Sequence, residues 1–164
     1  MRRIVLSSVV AMSLLMLIGC GFHLRGVADI SDDLKTMRIE GVNLQRDIGL
    51  YLKRGLVSNG ILVVEDNDSE SAVLKITENR FERRVLSVGS NAKVSEFELH
   101  AAITFTVFDA QGQVAAAQQQ VRAQRDYQFD QDEVLGRESE EILLRDQLNK
   151  QLVQSILRRL SFIK

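Results

Sequence analysis

The sequence predicts an α+β fold: a two-layer sandwich in which two helices pack on one face of a mostly antiparallel sheet with long hairpin strands. Three observations predict these layers. From Glu96 to Val107, apolar and polar side chains alternate with a period of two, which is typical of a strand with one buried face. In residues 44–56 and 144–163, apolar side chains recur every four positions, which is typical of helices that bury one stripe. The element order is β-α-β-β-β-β-α, in a single domain of residues 36–164.

Five segments are predicted as strands. They are Thr36–Glu40, Ile61–Glu65, Ala72–Val88, Glu96–Val107 and Val114–Phe129. Turn residues at Gly89-Ser90-Asn91 and Asp109–Gly112 separate the last three, which therefore form antiparallel hairpins. A helix separates the first two strands, and a right-handed crossover of that kind makes them parallel.

Each predicted helix has recognisable end signals. Asn43 is placed to cap the first helix, and Gly60 stands where a C′ glycine ends one. Gly49 and Gly55 lie inside this helix, where each costs about 1 kcal/mol relative to Ala. We therefore expect a neighbouring element to approach closely there. The last helix begins near a capping box at residues 130–133 and runs to about the C-terminus.

Composition excludes several classes of protein. The chain has 21 Lys+Arg against 22 Asp+Glu, and so near-zero a net charge argues against a nucleic-acid partner. A single cysteine builds neither a disulfide framework nor a cysteine-based zinc site. The sequence contains none of the familiar catalytic or phosphate-loop motifs, so we expect no enzyme.

The N-terminus has the features of a secretory signal peptide, assigned to residues 1–19. Arg2 and Arg3 form a positive region before the apolar run Ile4–Ile18, which is too short for the roughly 20 residues of a spanning helix. The alternative is an N-terminal membrane anchor that stays attached.

The end of this segment, Leu17-Ile18-Gly19-Cys20, resembles the lipobox of bacterial lipoproteins. That resemblance implies N-acyl and S-diacylglycerol lipid, palmitate included, on Cys20 and no other cofactor. Residues 20–35 then form a lipidated N-terminus and a polar tether. Gly21 in place of Asp is typical of sorting to the outer membrane.

Glu96, Glu98 and His100 lie on one face of a predicted strand, about 7 Å apart in sequence steps of two. This spacing permits a metal site as one reading. We favour a solvated or partner-facing strand and expect no metal, because neighbouring side chains along an extended strand diverge and do not converge on one ion.

The hairpin from Lys75 to Lys93 carries a local excess of basic residues, including Arg80, Arg83 and Arg84. One reading is solubility and protection of the strand edges. The other is recognition of phosphate, since guanidinium and ammonium groups bind phosphate by charge-assisted hydrogen bonds. Arg137, at the start of the last helix, is predicted to lie at the same end of the molecule.

Cys20-Gly21-Phe22-His23-Leu24-Arg25-Gly26, followed by this element order, resembles the start of the LptE family of LPS-assembly lipoproteins. The resemblance covers essentially the whole chain. It implies an outer-membrane lipoprotein that plugs the LptD β-barrel, helps that barrel assemble, and supports insertion of lipopolysaccharide into the outer leaflet. It also implies lipopolysaccharide binding by basic residues near the tip between the third and fourth strands and near the start of the last helix.

By position, those basic residues correspond to Arg137 and, at the hairpin tip, to Lys93, with Arg80, Arg83 and Arg84 as a supporting patch. The tip itself reads Gly89-Ser90-Asn91 and holds no arginine. A plug also needs polar faces. Outward-facing positions of the long strands provide them: Glu98, His100, Thr104, Thr106, Gln118, Gln120, Arg122 and Gln124.

Other functions stay open at this stage. The chain is alternatively an accessory lipoprotein of another envelope complex, either the barrel-folding machinery or a lipid-trafficking ABC system. A periplasmic module that binds a small ligand is a further alternative, which requires an apolar pocket between helices and sheet.

Overall fold

The computed structural model describes residues 30–66, 70–90, 92–129 and 134–163, with the backbone alone for residues 134–139. The signal peptide, Cys20 and the capping box at residues 130–133 lie outside the described residues. The strands are β1 (Thr36–Glu40), β2 (Leu62–Val64), β3 (Ala72–Val88), β4 (Val94–Phe108) and β5 (Val114–Gln128). The helices are α1 (Asp47–Ser58) and α2 (Val134–Leu160). The α+β class and the predicted element order are confirmed.

All the strands form one sheet in the order β2-β1-β3-β4-β5. β1 pairs in parallel with β2, as the sequence predicts, and also with β3, which the sequence did not indicate. The pairs β3–β4 and β4–β5 are antiparallel. β3 and β4 are joined at what we call the hairpin end, where β5 finishes and α2 starts. At the opposite, base end, β1, β3 and β5 begin and α2 finishes.

β3 alternates imperfectly in the sequence because it contains a bulge. Ile76 pairs with Phe105 and Glu78 with Thr104, so Thr77 is an extra residue on the β3 side. Its hydroxyl donates to the Thr104 carbonyl at 3.2 Å. Beyond Thr77 the two faces of β3 exchange parity: even-numbered side chains point inward before the bulge, and odd-numbered ones point inward after it as far as Val85, where a second register shift follows.

The core lies between one face of the sheet and both helices. Among the strands, β4 contributes the largest part, since Leu99, Ile103 and Phe105 are fully buried. From α2, the predicted stripe is buried at Leu148, Leu152, Ile156 and Leu160, while Leu144 and Ile163 are partly buried. The helices also contact each other: a Cβ atom built on Gly55 of α1 would collide with the Val153 side chain of α2. The predicted close approach is thereby confirmed at Gly55.

The start of α1 differs from the prediction. Asn43 does not cap the helix; its side-chain oxygen accepts the Gln45 backbone N–H at 2.9 Å and forms a local turn. The helix begins at Asp47, after Arg46 in an extended conformation. This turn folds back so tightly that Gly49 lies against the Asn43 carbonyl, where no side chain fits.

The end of α1 matches the prediction. Gly60 has a left-handed φ of 79°, and its N–H donates to the Val57 carbonyl at 3.0 Å. The Ile61 N–H donates to the Leu56 carbonyl at 3.1 Å. These two bonds form a Schellman motif, in which buried Ile61 and Leu56 supply the accompanying apolar contact.

The packed domain extends further towards the N-terminus than residue 36. Ile30 and Leu34 are buried in the core, and Asp32–Leu34 forms a single 3-10 turn. These two apolar side chains, which the sequence analysis counted as tether, are therefore anchored in the domain. Among the described helices, none combines the length and the apolar character needed to span a membrane.

We predict that Gly55→Ala destabilises the domain by about 1–3 kcal/mol, because the added methyl group overpacks the α1–α2 contact. In a Val153→Ala background the same substitution should cost little or stabilise, since Ala is the better helix former by about 1 kcal/mol. Urea denaturation of the four proteins of this double-mutant cycle measures the coupling. Equal effects of Gly55→Ala in both backgrounds would contradict the packing assignment.

Candidate functional site

The sheet face that carries no helix is polar, and we call it the open face. In the β3–β5 region its side chains alternate with those of the core and line a shallow depression of about 440 Å³ around Ala102. In this region the open face consists of Glu78, Arg80, Glu82, Arg84, Glu98, His100, Ala102, Thr104, Gln120, Arg122 and Gln124.

Hydrogen bonds run across three strands of the open face. Glu78, Thr104 and Gln120 are directly opposite one another in the ladders. The Thr104 hydroxyl donates to a Glu78 carboxylate oxygen at 3.2 Å and accepts from the Gln120 side-chain amide at 3.3 Å. Thr104 is only 7% exposed, so these bonds satisfy a hydroxyl that is largely removed from water.

This face carries equal numbers of arginines and glutamates, three of each. Glu82 lies between Arg80 and Arg84 on β3 and forms ion pairs with both, at 2.7 Å to Arg84. Hydrogen bonding to Arg84, together with the charge of Arg80, holds the pKa of Glu82 below its usual range. On β4, Glu98 contacts the His100 ring. The result is a hydrophilic face without a strong field of either sign.

The helix-covered face of the hairpin carries a different cluster. Arg83 donates to the Glu141 carboxylate of α2 at 3.1 Å, and the Tyr127 hydroxyl donates to the same carboxylate at 3.3 Å. The Arg83 guanidinium also stacks over the Phe97 ring at 4.7 Å. One turn further along α2, Arg145 lies over Phe81 at 3.9 Å. Ionic and cation–π contacts thus fix α2 on the hairpin beyond the aliphatic core.

The hairpin end combines an exposed cation with exposed apolar side chains. The turn closes by a bond from the Gly89 N–H to the Lys93 carbonyl at 2.7 Å, and the Lys93 side chain is exposed. Three apolar side chains near the end of β3 are each about half exposed: Val85 at 54%, Leu86 at 49% and Val88 at 57%. Such a combination suits an amphiphilic ligand.

The predicted basic residues do not form one patch. Because successive side chains of a strand point to opposite faces, Arg80 and Arg84 lie on the open face, whereas Arg83 lies under α2. Arg137 lies in the first turn of α2, at the hairpin end, as Lys93 does. The elements that carry these two residues therefore meet at one end of the domain.

Glu96, Glu98 and His100 do share a strand face, but their partners differ. Glu98 contacts His100, while Glu96 accepts a hydrogen bond from the Ser87 hydroxyl at 2.8 Å. Within the described ranges, no group of three His, Cys, Asp or Glu side chains is arranged to hold a metal ion.

Sequence reasoning missed Glu141 and Tyr127. Nothing local marks them, since they are separated from Arg83 by 58 and 44 positions and meet it only through the packing of α2 on the sheet. The alternation Arg80-x-Glu82-x-Arg84 did contain a usable signal, because residues two apart share a strand face.

The fold is similar to solved structures of bacterial lipoproteins. Lipoprotein B of Nitrosomonas europaea, solved by NMR, superposes with a TM-score of 0.70 and 29% identity, covering 86% of this chain and 90% of that one. The crystal structure of a minor lipoprotein of Acinetobacter baumannii gives a TM-score of 0.65 and 29% identity, covering 78% of this chain and 91% of that one. The class of protein is thus a bacterial lipoprotein domain.

Sequence comparison defines the family within that class. The LptE model, described as lipopolysaccharide-assembly, matches residues 34–160. The LPS-assembly lipoprotein LptE of Photorhabdus laumondii is 24% identical over 160 residues, covering 98% of this chain and 87% of that protein. The protein of the same name from Yersinia pestis is 24% identical over 166 residues and is covered to 77%. The chain belongs to the LptE family of lipopolysaccharide-assembly lipoproteins, as its sequence resemblance indicated.

We predict that Tyr127 makes the domain less stable at high pH. Burial raises the pKa of Tyr127 above its ordinary value of 10.0, and the Glu141 carboxylate adds to the shift. A tyrosine that ionises more readily when unfolded stabilises the fold below about pH 10 and loses that contribution as the pH rises further. Tyr127→Phe should cost about 1 kcal/mol at neutral pH through the lost hydrogen bond. That difference should shrink from pH 10 to pH 11.

Urea denaturation of both proteins between pH 7 and pH 11 measures this difference. Tyr51, whose pKa is raised by its hydrogen bond to Asp146, is common to both proteins, and its titration cancels in the comparison. A stability difference that stays constant with pH would refute the assignment.

Proposed function

We propose that this protein is an outer-membrane lipoprotein, acylated on Cys20, that occupies the lumen of the LptD β-barrel and helps that barrel assemble. It binds lipopolysaccharide at the hairpin end and supports its insertion into the outer leaflet. Membership of the LptE family provides the general role in lipopolysaccharide assembly. The protein acts by binding and carries out no catalysis.

The open face is the observation that carries the plug assignment. A protein inside a polar barrel lumen must present hydrophilic surface on the side turned to the wall. The row from Glu78 through Thr104 to Gln120 supplies such a surface with its hydrogen bonds already made. Because Glu82 forms ion pairs with both of its arginine neighbours, the face meets a polar wall with these charges already paired, which lowers the cost of desolvating them.

The hairpin end supports the lipopolysaccharide assignment. Lipopolysaccharide joins phosphate groups to acyl chains, so its site needs cations beside apolar surface. Lys93 and the α2 segment with Arg137 supply the cations, and Val85, Leu86 and Val88 supply the apolar surface. Arg83 is assigned to holding α2 in place, because its guanidinium already binds Glu141.

We predict that Arg137→Asp with Lys93→Asp weakens lipopolysaccharide binding by about tenfold or more, because two charge-assisted contacts become repulsive. Circular dichroism should be unchanged, since both substitutions lie at a domain end. Binding is measured with purified lipoprotein in mild detergent and immobilised lipopolysaccharide.

The matched control is Arg54→Asp with Lys75→Asp, which makes the same change in net charge at exposed positions away from the hairpin end. This control should bind within about twofold of the unmodified protein, since screening removes most charge effects beyond roughly 8–10 Å. Unchanged binding by the Arg137/Lys93 variant, or equal loss in both variants, would refute the assignment of this end.

We predict that the tagged lipoprotein, extracted from outer membranes in mild detergent, co-purifies with LptD at near-equal stoichiometry. Substituting the open face with Thr104→Lys and Gln120→Lys should release the barrel, because both place long charged side chains in a close-packed row whose hydrogen bonds are already made. Mass spectrometry of the same preparation tests for acyl groups on Cys20. Recovery of a barrel-folding or ABC-transport complex in place of LptD would favour another envelope assembly.

A further inference from the structure

A second basic site lies at the opposite side of the domain from the hairpin turn. The last turns of α2 and the edge strand β5 enclose an open groove of about 790 Å³. Its polar lining comes from Arg122, Gln119, Ser155, Arg158 and Arg159, and its apolar lining includes Phe162. None of the described residues that line it carries a carboxylate.

The three guanidinium groups of this groove have neutral partners. Arg159 donates to the Gln119 side-chain oxygen at 3.1 Å and so bridges α2 and β5. Arg158 donates to the Ser155 hydroxyl at 2.8 Å, and Arg122 to the Gln120 side-chain oxygen at 2.6 Å.

Several other arginines of the domain are paired with carboxylates. Arg38, Arg80, Arg83 and Arg84 are each within 4.0 Å of a glutamate. In the described part of the chain, the groove therefore gathers guanidinium charge that no carboxylate neutralises. Guanidinium groups held in place by hydrogen bonds to neutral side chains keep free N–H donors, which match the oxygens of a phosphate.

Phe162 indicates that the ligand has an apolar part. Its side chain is 83% exposed, the most exposed large apolar side chain in the described residues, and it lines the same groove as the arginines. An aromatic ring left in water beside a cationic cluster is typical of a surface that meets lipid headgroups and the first methylene groups below them.

The position of the groove fits a membrane lipid. Gln119 pairs with Phe105, in the half of the sheet nearer the base end. The described chain starts at that end as well, since the Leu62 N–H donates to the Lys35 carbonyl at 2.7 Å just before β1. If Cys20 is acylated, as the proposed function holds, the anchor is ten residues from Ile30, the first described residue, which is buried in this domain.

We infer that the Arg122–Arg158–Arg159 groove binds the phosphate of an anionic membrane lipid, with Phe162 against its glycerol and upper acyl region. This site is separate from the lipopolysaccharide site proposed at the hairpin end. Before the domain enters the barrel, this contact would fix how it stands on the membrane surface, because the acyl chains alone leave the domain free to rotate.

The test uses the full-length lipidated protein in dodecyl maltoside micelles that contain increasing amounts of phosphatidic acid. The ³¹P line width of the phosphatidic acid reports contact with the protein directly. Phosphatidylcholine and inorganic phosphate are the comparison probes. We expect saturable broadening of the phosphatidic acid signal and binding roughly tenfold weaker for phosphatidylcholine, whose headgroup carries no net charge.

Three variants locate the site. Arg158→Gln with Arg159→Gln should weaken phosphatidic acid binding by about tenfold or more. Arg80→Gln with Arg84→Gln makes the same change in charge on the open face, where both arginines are already in ion pairs with Glu82, and should change binding by less than about twofold. Phe162→Ser should weaken binding of phosphatidic acid by severalfold and leave binding of inorganic phosphate unchanged.

Several results would overturn the inference. Non-saturable broadening, or equal loss in the two arginine pairs, would show that the groove is not the site. Inorganic phosphate bound as tightly as phosphatidic acid, with no effect of Phe162→Ser, would show a site for free phosphate and exclude the lipid. Should the groove variant fail to fold, insensitivity of the unmodified protein's binding to 0.5 M salt would contradict a site built on charge.

Failure of the proposed function is distinguishable from failure of this inference. The Arg158/Arg159 variant should still co-purify with LptD, because its substitutions are remote from the open-face row. Loss of phosphatidic acid binding with the barrel retained supports the groove alone. If the lipoprotein binds phosphatidic acid at the groove but does not co-purify with LptD, the groove assignment holds and the plug assignment is refuted.

Discussion

The pairing of β3 with β4 is the interaction on which the rest of the structure depends. One face of β4 provides Leu99, Ile103 and Phe105, which no water reaches and against which both helices pack. Its other face provides Thr104, the centre of the polar row. The bulge at Thr77 sets the parity of the β3 side chains from Glu78 to Val85, and so decides which arginines face α2 and which face outwards. Core and functional surfaces are thus two sides of one ladder.

Three groups of arginines in the domain differ in their hydrogen-bond and ion-pair partners, and each group has a different role. On the open face, Arg80 and Arg84 form ion pairs with Glu82, which leaves a hydrophilic surface suited to a polar barrel wall. Under α2, Arg83 forms an ion pair with Glu141 and stacks on Phe97, and these two contacts position the helix. In the groove at the end of α2, Arg158 and Arg159 bind only neutral groups and retain donors for an anion. The net charge of the chain, which is near zero, indicates none of these three arrangements.

These surfaces give the domain a polarity along its length. The hairpin end presents apolar side chains of β3 with Lys93 beside the start of α2, while the base half presents the groove and receives the chain from its N-terminal side. An assembly factor placed between a membrane and a barrel needs different contacts at its two ends. The rigid sheet, tied to α2 at Glu141 near one end and Arg159 near the other, holds them at a fixed separation.

The sequence by itself determined the α+β class, the order of the elements and most strand bounds. The alternation of apolar and polar residues in strands and the four-residue spacing of apolar residues in helices are local patterns that repeat over many residues. It also determined the C′ role of Gly60 and the family, through a short motif beside the lipobox. Tertiary structure alone decided the start of α1, where a side-chain turn at Asn43 replaced a helix cap, and the incorporation of Ile30 and Leu34 into the core. It alone separated Arg83 from Arg80 and Arg84 and brought Glu141, Tyr127, Gln119 and Arg159 to their partners. The physical reason is that a bulge shifts parity by one residue and helix packing joins positions far apart in the chain, and neither leaves a periodic signal in the sequence.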